Sequence, residues 1–259
     1  MRSIEILGEN EVTDKQARNQ ALQLWLKTRG LAVMKLLRIG PKNRRIKISR
    51  LFDNPVFVRP FQGIMHNQQI SIIVQIGWQP RGSDLGGQMH SDVRNESRDF
   101  TIELLMTKKD NDGSIVCNEA NLAAFLDERF KLVFLHECIH VLDELRYDDQ
   151  EAATKRQRRL DTYRQTGPKR LDYMKAYWNT SYENNAFYHE TVAAYLSALR
   201  QRTLPMPQSA ADLIKQITTM PWLRTSNTVG QIMAHFSTAQ RRSWLRRMTS
   251  LYTTRFAAG

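Results

Sequence analysis

The sequence is poor in the features that mark secreted and membrane proteins. Among 259 residues it has two cysteines, Cys117 and Cys138, which are too few for a disulfide framework and predict free thiols in a reducing compartment. No run approaches the roughly 18 apolar residues of a membrane span. The first residues, MRSIEILGENEVTDKQ, carry acids where a signal peptide has its apolar stretch. We therefore expect a cytoplasmic protein without membrane insertion.

Internal repeats and low-complexity tracts are also absent from the sequence, which favours one α+β domain with a helical appendage. The hydrophobic content of 41% is enough to build a core. A formal net charge of +12 predicts an anionic partner: nucleic acid, a cell-wall polymer or an acidic protein. Lysines and arginines are concentrated at 39–50, 155–170 and 241–248, where each cluster is either a phosphate-binding surface or a solvated helix face.

The first half of the chain reads as a helix followed by a small sheet. Apolar residues at helical spacing predict a helix, or a broken helix pair, over 13–39. Segments rich in β-branched residues follow within 45–107, namely RIKISRLF, QISIIVQIG and DFTIELLMT. The polar, glycine-containing segment 79–98 predicts a mobile loop that could act as a lid.

The second half reads as helical. The pattern predicts one long helix over about 118–147, a charged helix that ends near Gly167 and Pro168, and a further helix up to about residue 200. The segment LPMPQ at 204–208 separates these from a helical C-terminal section. We therefore predict an α+β fold with a domain over 1–203, containing a small mixed sheet, and a helical appendage over 204–259.

The sequence FLHECIHVLDE, residues 134–144, carries the motif H-E-x-x-H. Residues four apart lie on one face of a helix, so His136 and His140 can direct two imidazole nitrogens at one zinc ion. Glu137 is rotated about 100° from His136, which leaves its carboxylate beside the metal as a general base. Asp143 and Glu144, at i+3 and i+4 from His140, can orient the imidazole.

A catalytic zinc typically has three protein ligands, so the motif predicts one more. The metzincin arrangement is excluded because Asp143 and Arg146 stand where it needs glycine and histidine. The strongest candidate is Glu183, which lies 43 residues after His140 on a predicted helix. His189 or Glu190 on the same helix, and Asp143 or the acids at 148–149, are the alternatives.

These residues resemble the gluzincin-like zinc metallopeptidases, including compact phage and bacterial members. The resemblance covers about residues 118–200. It rests on H-E-x-x-H together with a downstream glutamate that is followed by a small residue and an aromatic, here His136, Glu137, His140, Glu183, Ala186 and Phe187. The separation of His140 from Glu183 is longer than in thermolysin-like enzymes. The resemblance implies a zincin-like fold in which a pair of helices carries the active site.

The resemblance further implies a zinc-dependent endopeptidase with Glu137 as general base and His136, His140 and Glu183 as ligands. A group that stabilises the oxyanion is also needed, for which Tyr182, Tyr188, Tyr195 and His189 are candidates. An extended substrate is expected to pair with an edge strand, supplied by QISIIVQIG or DFTIELLMT. Phage members add a virion-associated location. The alternative is a basic structural or nucleic-acid-associated protein that keeps the scaffold without turnover.

Overall fold

The computed structural model describes residues 2–52, 56–57, 61–65, 68–79, 85–94, 97–107, 113–147, 175–222 and 227–257. The chain forms two compact units, of which the first combines Met1–Arg18 with Tyr147–Gly259 and the second is Asn19–Arg146. The fold is α+β, as predicted. The boundary expected after residue 203 falls within the first unit.

Helix α1 spans Arg2–Ile39 and begins before the predicted residue 13. Within the second unit one face of α1 is buried, through Ala21, Leu24, Trp25, Thr28, Ala32, Val33 and Leu36. Leu31, part of the apolar pattern in the sequence, is 42% exposed instead. Trp25 anchors the helix, because its Nε1 donates a 2.7 Å hydrogen bond to Asp127 Oδ1 while its ring packs on Phe134.

The main sheet of the second unit is mixed. It contains β2 (Val56–Phe57), β3 (Phe61–Met65), β4 (Gln68–Gln79), β5 (Leu85–Arg94) and β6 (Ser97–Thr107). The order is β2-β4-β6-β5, with β3 also paired to β4. Strands β4 and β6 are parallel, and the other pairs are antiparallel. Alternate residues point to one buried face, as expected for a sheet covered on one side: Ile70, Ile72, Val74, Ile76, Phe100, Ile102, Leu104 and Met106.

Two sequence predictions in this region are wrong. RIKISRLF is not one strand, because β1 (Arg45–Lys47) passes directly into the short helix α2 (Ile48–Phe52). Strand β1 pairs with β7 (Ser114–Val116) in a separate two-stranded sheet. The predicted mobile loop at 79–98 contains the ten-residue strand β5. Its composition is poor in β-branched residues, and antiparallel pairing to β6 along its whole length holds it extended.

The predicted long helix over 118–147 is two helices, α3 (Glu119–Arg129) and α4 (Lys131–Tyr147). Asn118 caps α3, and its side chain accepts a 2.9 Å hydrogen bond from the backbone N–H of Asn121. Phe130 ends α3 with φ −116° and is fully buried, with its ring edge-on to Phe125. Helical spacing of apolar residues continues across this break, so the periodicity did not reveal it.

The described part of the first unit is helical after residue 180, with α5 (Ser181–Arg200), α6 (Ala210–Thr219), α7 (Val229–Met233) and α8 (Thr238–Arg255). Each helix begins after a Ser or Thr whose side chain caps the first turn: Thr180, Ser209, Thr228 and Ser237. These helices share one core that includes Trp178, Phe187, Tyr188, Leu213, Trp222, Ile232 and Trp244. The helical C-terminal section and the break at 204–208 are therefore confirmed, whereas the charged helix predicted to end near Gly167 and Pro168 lies outside the described residues.

Candidate metal centre

Helix α4 carries the H-E-x-x-H motif and is buried over most of its length. His136, Glu137 and His140 are 1%, 3% and 3% exposed, and Asp143 on the same helix is also buried. The apolar side chains of Leu135, Ile139 and Leu142 on this helix are buried as well. The helix is therefore internal to the fold, and polar side chains of the motif are kept from bulk water, where interactions with a charged ligand are strongest.

The two histidines have the geometry of a chelating pair. Their ring centroids are 4.7 Å apart with an interplanar angle of 87°, and one ligand nitrogen from each lies within 4.8 Å of the other. Two nitrogens bound to zinc at about 2.0–2.1 Å in tetrahedral geometry are roughly 3.4 Å apart, so small rotations of the rings bring both onto one ion. The donor set of two buried imidazoles fits zinc.

Strand β5 lies against the glutamate of the motif. A Cβ atom added at Gly87 would be 2.6 Å from Glu137 Oε1 and 2.6 Å from Val133 Cγ1, so only glycine allows the strand to come this close. Further along both elements, Ser91 Oγ donates a 2.8 Å hydrogen bond to Glu144 Oε1. The two contacts are four residues apart on β5 and seven apart on α4, so the strand runs along the helix.

The edge strand is therefore not one of the two expected from the sequence. QISIIVQIG lies in β4 and DFTIELLMT in β6, and both have described strands on each side. Among the described strands, β5 pairs with β6 alone, which places it at the edge and beside Glu137. The signal that marks it in the sequence is the glycine pair at 86–87 inside an otherwise polar segment.

Glu183 lies in the first turn of α5, in the first unit, and is 9% exposed. Its backbone N–H donates a 3.3 Å hydrogen bond to the hydroxyl of the N-cap residue Thr180. The N-terminus of a helix favours a negative charge, which explains why a carboxylate is tolerated in this buried position. Glu190, on the same helix, lines a small pocket with Met220 and Trp222.

His189 belongs to a polar cluster within the first unit. Its Nδ1 is 3.5 Å from Arg18 Nη1, its Nε2 is 3.3 Å from Arg247 Nη2, and Asp14 Oδ1 is 3.6 Å from Nε2. The guanidinium of Arg247 also donates two hydrogen bonds to the carboxylate of Asp14, at 2.9 and 3.0 Å. Both ring nitrogens of His189 thus face guanidinium groups. No local sequence pattern indicates this cluster, because its members are far apart in the chain.

The candidate tyrosines differ in their surroundings. Tyr188 is fully buried against Trp244, and the guanidinium of Arg247 lies 3.6 Å from the centre of its ring. Tyr195 is buried and donates a 3.0 Å hydrogen bond to Gln216 Oε1. Burial, and secondarily the charge of Asp212, raise the pKa of Tyr195 to about 12. Tyr182, next to Glu183, is only half-buried. The acids at 148–149 lie outside the described residues.

Both cysteines are free thiols, as predicted. Cys138 lies between the two histidines in sequence but is fully buried, and burial raises its pKa to about 12. The thiolate is the form that binds metals, so this burial disfavours Cys138 as a ligand. Burial also raises the pKa of Cys117.

No helix in the described part of the chain is long and apolar enough to cross a membrane. Comparison of the chain with protein-family models, with curated proteins and with solved structures found no match.

Proposed function

We propose that the chain is a zinc-dependent endopeptidase. The observation that carries this proposal is the buried pair of imidazoles on α4, His136 and His140, one helical turn apart with the carboxylate of Glu137 beside them. Surface histidines at this spacing would be unremarkable, but burying two imidazoles and a carboxylate together is costly unless a ligand or partner groups compensate them. A divalent cation bound by the two imidazoles would supply such compensation.

The proposed ligands are His136, His140 and Glu183. Glu183 is preferred to His189 because both nitrogens of His189 face arginine side chains, which repel a cation. It is preferred to Glu190 because that residue lines a pocket with Met220 and Trp222. A zinc ion held by these groups would supply a Lewis acid that lowers the pKa of water and polarises the peptide carbonyl.

Glu137 is the proposed general base. Its carboxylate accepts the proton of the water that attacks the peptide carbonyl, and then gives that proton to the amine that leaves when the C–N bond breaks. Asp143, one turn from His140 and buried, is proposed to hold that imidazole in the tautomer a ligand requires. Tyr182 is the proposed donor to the oxyanion, because Tyr188 and Tyr195 are packed in the core of the first unit.

The proposed substrate is an extended peptide that adds to the outer edge of β5. The backbone of β5 approaches Glu137 closely at Gly87, so a peptide paired along this edge would pass beside the general base. Specificity would then depend on side chains of β5 that flank this glycine, such as Gln88, which is exposed.

Metal content separates this function from its alternatives. We expect about one zinc per chain by elemental mass spectrometry, lost in His136→Ala and Glu183→Ala and retained in the matched control Glu190→Ala. Glu137→Gln should keep the zinc but lose at least about 100-fold in peptide hydrolysis. Zinc lost in His136→Ala but kept in Glu183→Ala would refute Glu183 as ligand. A wild-type protein that binds no zinc would refute the peptidase and favour a basic structural or nucleic-acid-associated protein.

A further inference from the structure

The C-terminal half of α1 and the segment after it carry charge of one sign only. Between Asn19 and Phe52 the sequence contains nine basic residues and no aspartate or glutamate: Lys27, Arg29, Lys35, Arg38, Lys42, Arg44, Arg45, Lys47 and Arg50. Arg29 forms an ion pair with Asp127. Six of the others, Arg38, Lys42, Arg44, Arg45, Lys47 and Arg50, are exposed and follow one another around the end of the helix. We call these six the basic patch.

Large apolar side chains are exposed on the same stretch of helix. Leu26, Leu31, Met34 and Ile39 are 57%, 42%, 52% and 54% exposed. Leu26, Gly30 and Met34 are spaced four apart on one face of α1, and Arg38 continues that row into the basic patch. Among the described residues, and apart from the neighbouring backbone of α1 itself, no atom lies within 4 Å of a Cβ added at Gly30, so the row is open. The opposite face of the helix is buried in the core of the second unit, which keeps α1 in place.

The basic patch has a fixed backbone. The backbone N–H of Gly40 donates a 2.9 Å hydrogen bond to the carbonyl oxygen of Leu36. Two backbone hydrogen bonds then hold the following turn against Cys117: Asn43 N–H donates to the Cys117 carbonyl at 2.9 Å, and Cys117 N–H donates to the Arg44 carbonyl at 3.0 Å. Asn43 adopts a positive φ of 57°, which completes the turn. In β1, Arg45 and Lys47 point to one side, with the less exposed Ile46 between them. The cations are therefore held around the helix end before any partner binds.

We propose that this face docks on an anionic lipid surface. The cations match acidic headgroups, and the aliphatic side chains reach the boundary with the acyl chains, an arrangement that suits peripheral binding. Nucleic acid fits less well, because the sequence from Leu26 to Leu51 has no aromatic residue to stack on a base. A second copy of the chain also fits poorly, since pairing this face with itself would oppose like charges.

Vesicle binding by the full-length protein tests this proposal, and it does not depend on the peptidase activity. The probes are vesicles of phosphatidylcholine alone and vesicles in which a third of the lipid is phosphatidylglycerol. We expect binding to the anionic vesicles only. Because each cation near the surface contributes about fivefold, Arg44→Gln/Arg45→Gln/Lys47→Gln should weaken binding on the order of 100-fold. Leu31→Ser/Met34→Ser should weaken it by about tenfold or more, in high salt as well as in low salt.

Matched controls come from the first unit. Lys215→Gln/Arg242→Gln/Arg246→Gln removes three exposed cations, and Met206→Ser removes an exposed methionine, so both should leave vesicle binding within about threefold of the wild type. Equal losses in the control triple would overturn the proposal, because net charge alone would then account for binding. Absence of vesicle binding would overturn it as well. Binding to a duplex oligonucleotide that needs the basic patch but not Leu31 and Met34 would assign the face to nucleic acid instead.

Discussion

A single methyl group at Gly87 tests the contact between β5 and α4. The added Cβ of Gly87→Ala would lie 2.6 Å from both Val133 Cγ1 and Glu137 Oε1, whereas relaxed contacts begin near about 3.5 Å. Strand β5 or helix α4 must therefore move away from the other by roughly 0.9 Å. The carboxylate of Glu137 can rotate away, but the Val133 methyl is fixed to the helix. We expect a loss of about 1–3 kcal/mol in the free energy of unfolding, as for other overpacked sites.

Gly77→Ala is the matched control, because it adds the same atom to β4 of the same sheet with its nearest neighbour, Leu105 Cδ2, at an ordinary 3.5 Å. Urea denaturation should show this control to be neutral or slightly stabilising. Val133→Ala should recover much of the loss caused by Gly87→Ala, which gives a coupling energy of at least about 1 kcal/mol in a double-mutant cycle.

The same substitution tests Glu137 as a general base. If it displaces the carboxylate by roughly 1 Å, peptide hydrolysis should fall on the order of 100-fold while zinc content stays unchanged. A Gly87→Ala protein that matches Gly77→Ala in both stability and activity would refute the close approach of β5 to α4. If Gly87→Ala loses stability but keeps full activity, the contact between β5 and α4 is supported and the role of Glu137 as general base is refuted.

Two further predictions concern the first unit. Arg247→Lys loses the two-bond contact to Asp14 and the packing on Tyr188, so we expect a loss of about 1–3 kcal/mol in urea denaturation, against no measurable change in the exposed control Arg242→Lys. An equal loss in Arg247→Lys and Arg242→Lys would contradict a stabilising role of the half-buried contact between Arg247 and Asp14. Because the folded state raises the pKa of Tyr195 to about 12, its contribution to stability is complete below pH 10 and is lost as pH rises from 10 to 12. The decline in urea midpoint over this range should be shallower in Tyr195→Phe, and an unchanged slope would argue against the raised pKa.

The motif on α4 could be predicted because its geometry is local. Helical periodicity alone fixes His136 and His140 on one face, and the apolar residues around them indicate a buried helix. The break at Phe130 could not be predicted, since α3 and α4 carry similar helical patterns and burial of the Phe130 ring leaves no local signal in the sequence. Tertiary packing, not propensity, ends α3.

Strand β5 and the cluster around His189 were missed for a different reason. The sequence of β5 reads as a loop, and its extended form comes from pairing with β6. Asp14 and Arg247 are 233 residues apart, so no local pattern links them. The role of Gly87 could not be predicted either, because it depends on which side chains of α4 pack against the strand at this position. A glycine in a polar segment predicts a turn, whereas here it lets a strand approach a carboxylate.

The strand order also constrains how the second unit folds. Strands β5 and β6 form an antiparallel ladder that closes at Arg94 and Ser97, so their pairing is local and can form in about 1–10 μs. The parallel pairing of β4 with β6 joins residues 28 apart in the sequence, such as Ile70 and Arg98, and β6 lies between β4 and β5 in the sheet. The β5–β6 hairpin should therefore form first and dock on β4 as a unit. Stopped-flow kinetics would then show slower refolding for Met89→Ala in the hairpin and faster unfolding for Ile70→Val in β4, whereas the reverse pattern would mean that the parallel pair nucleates the sheet.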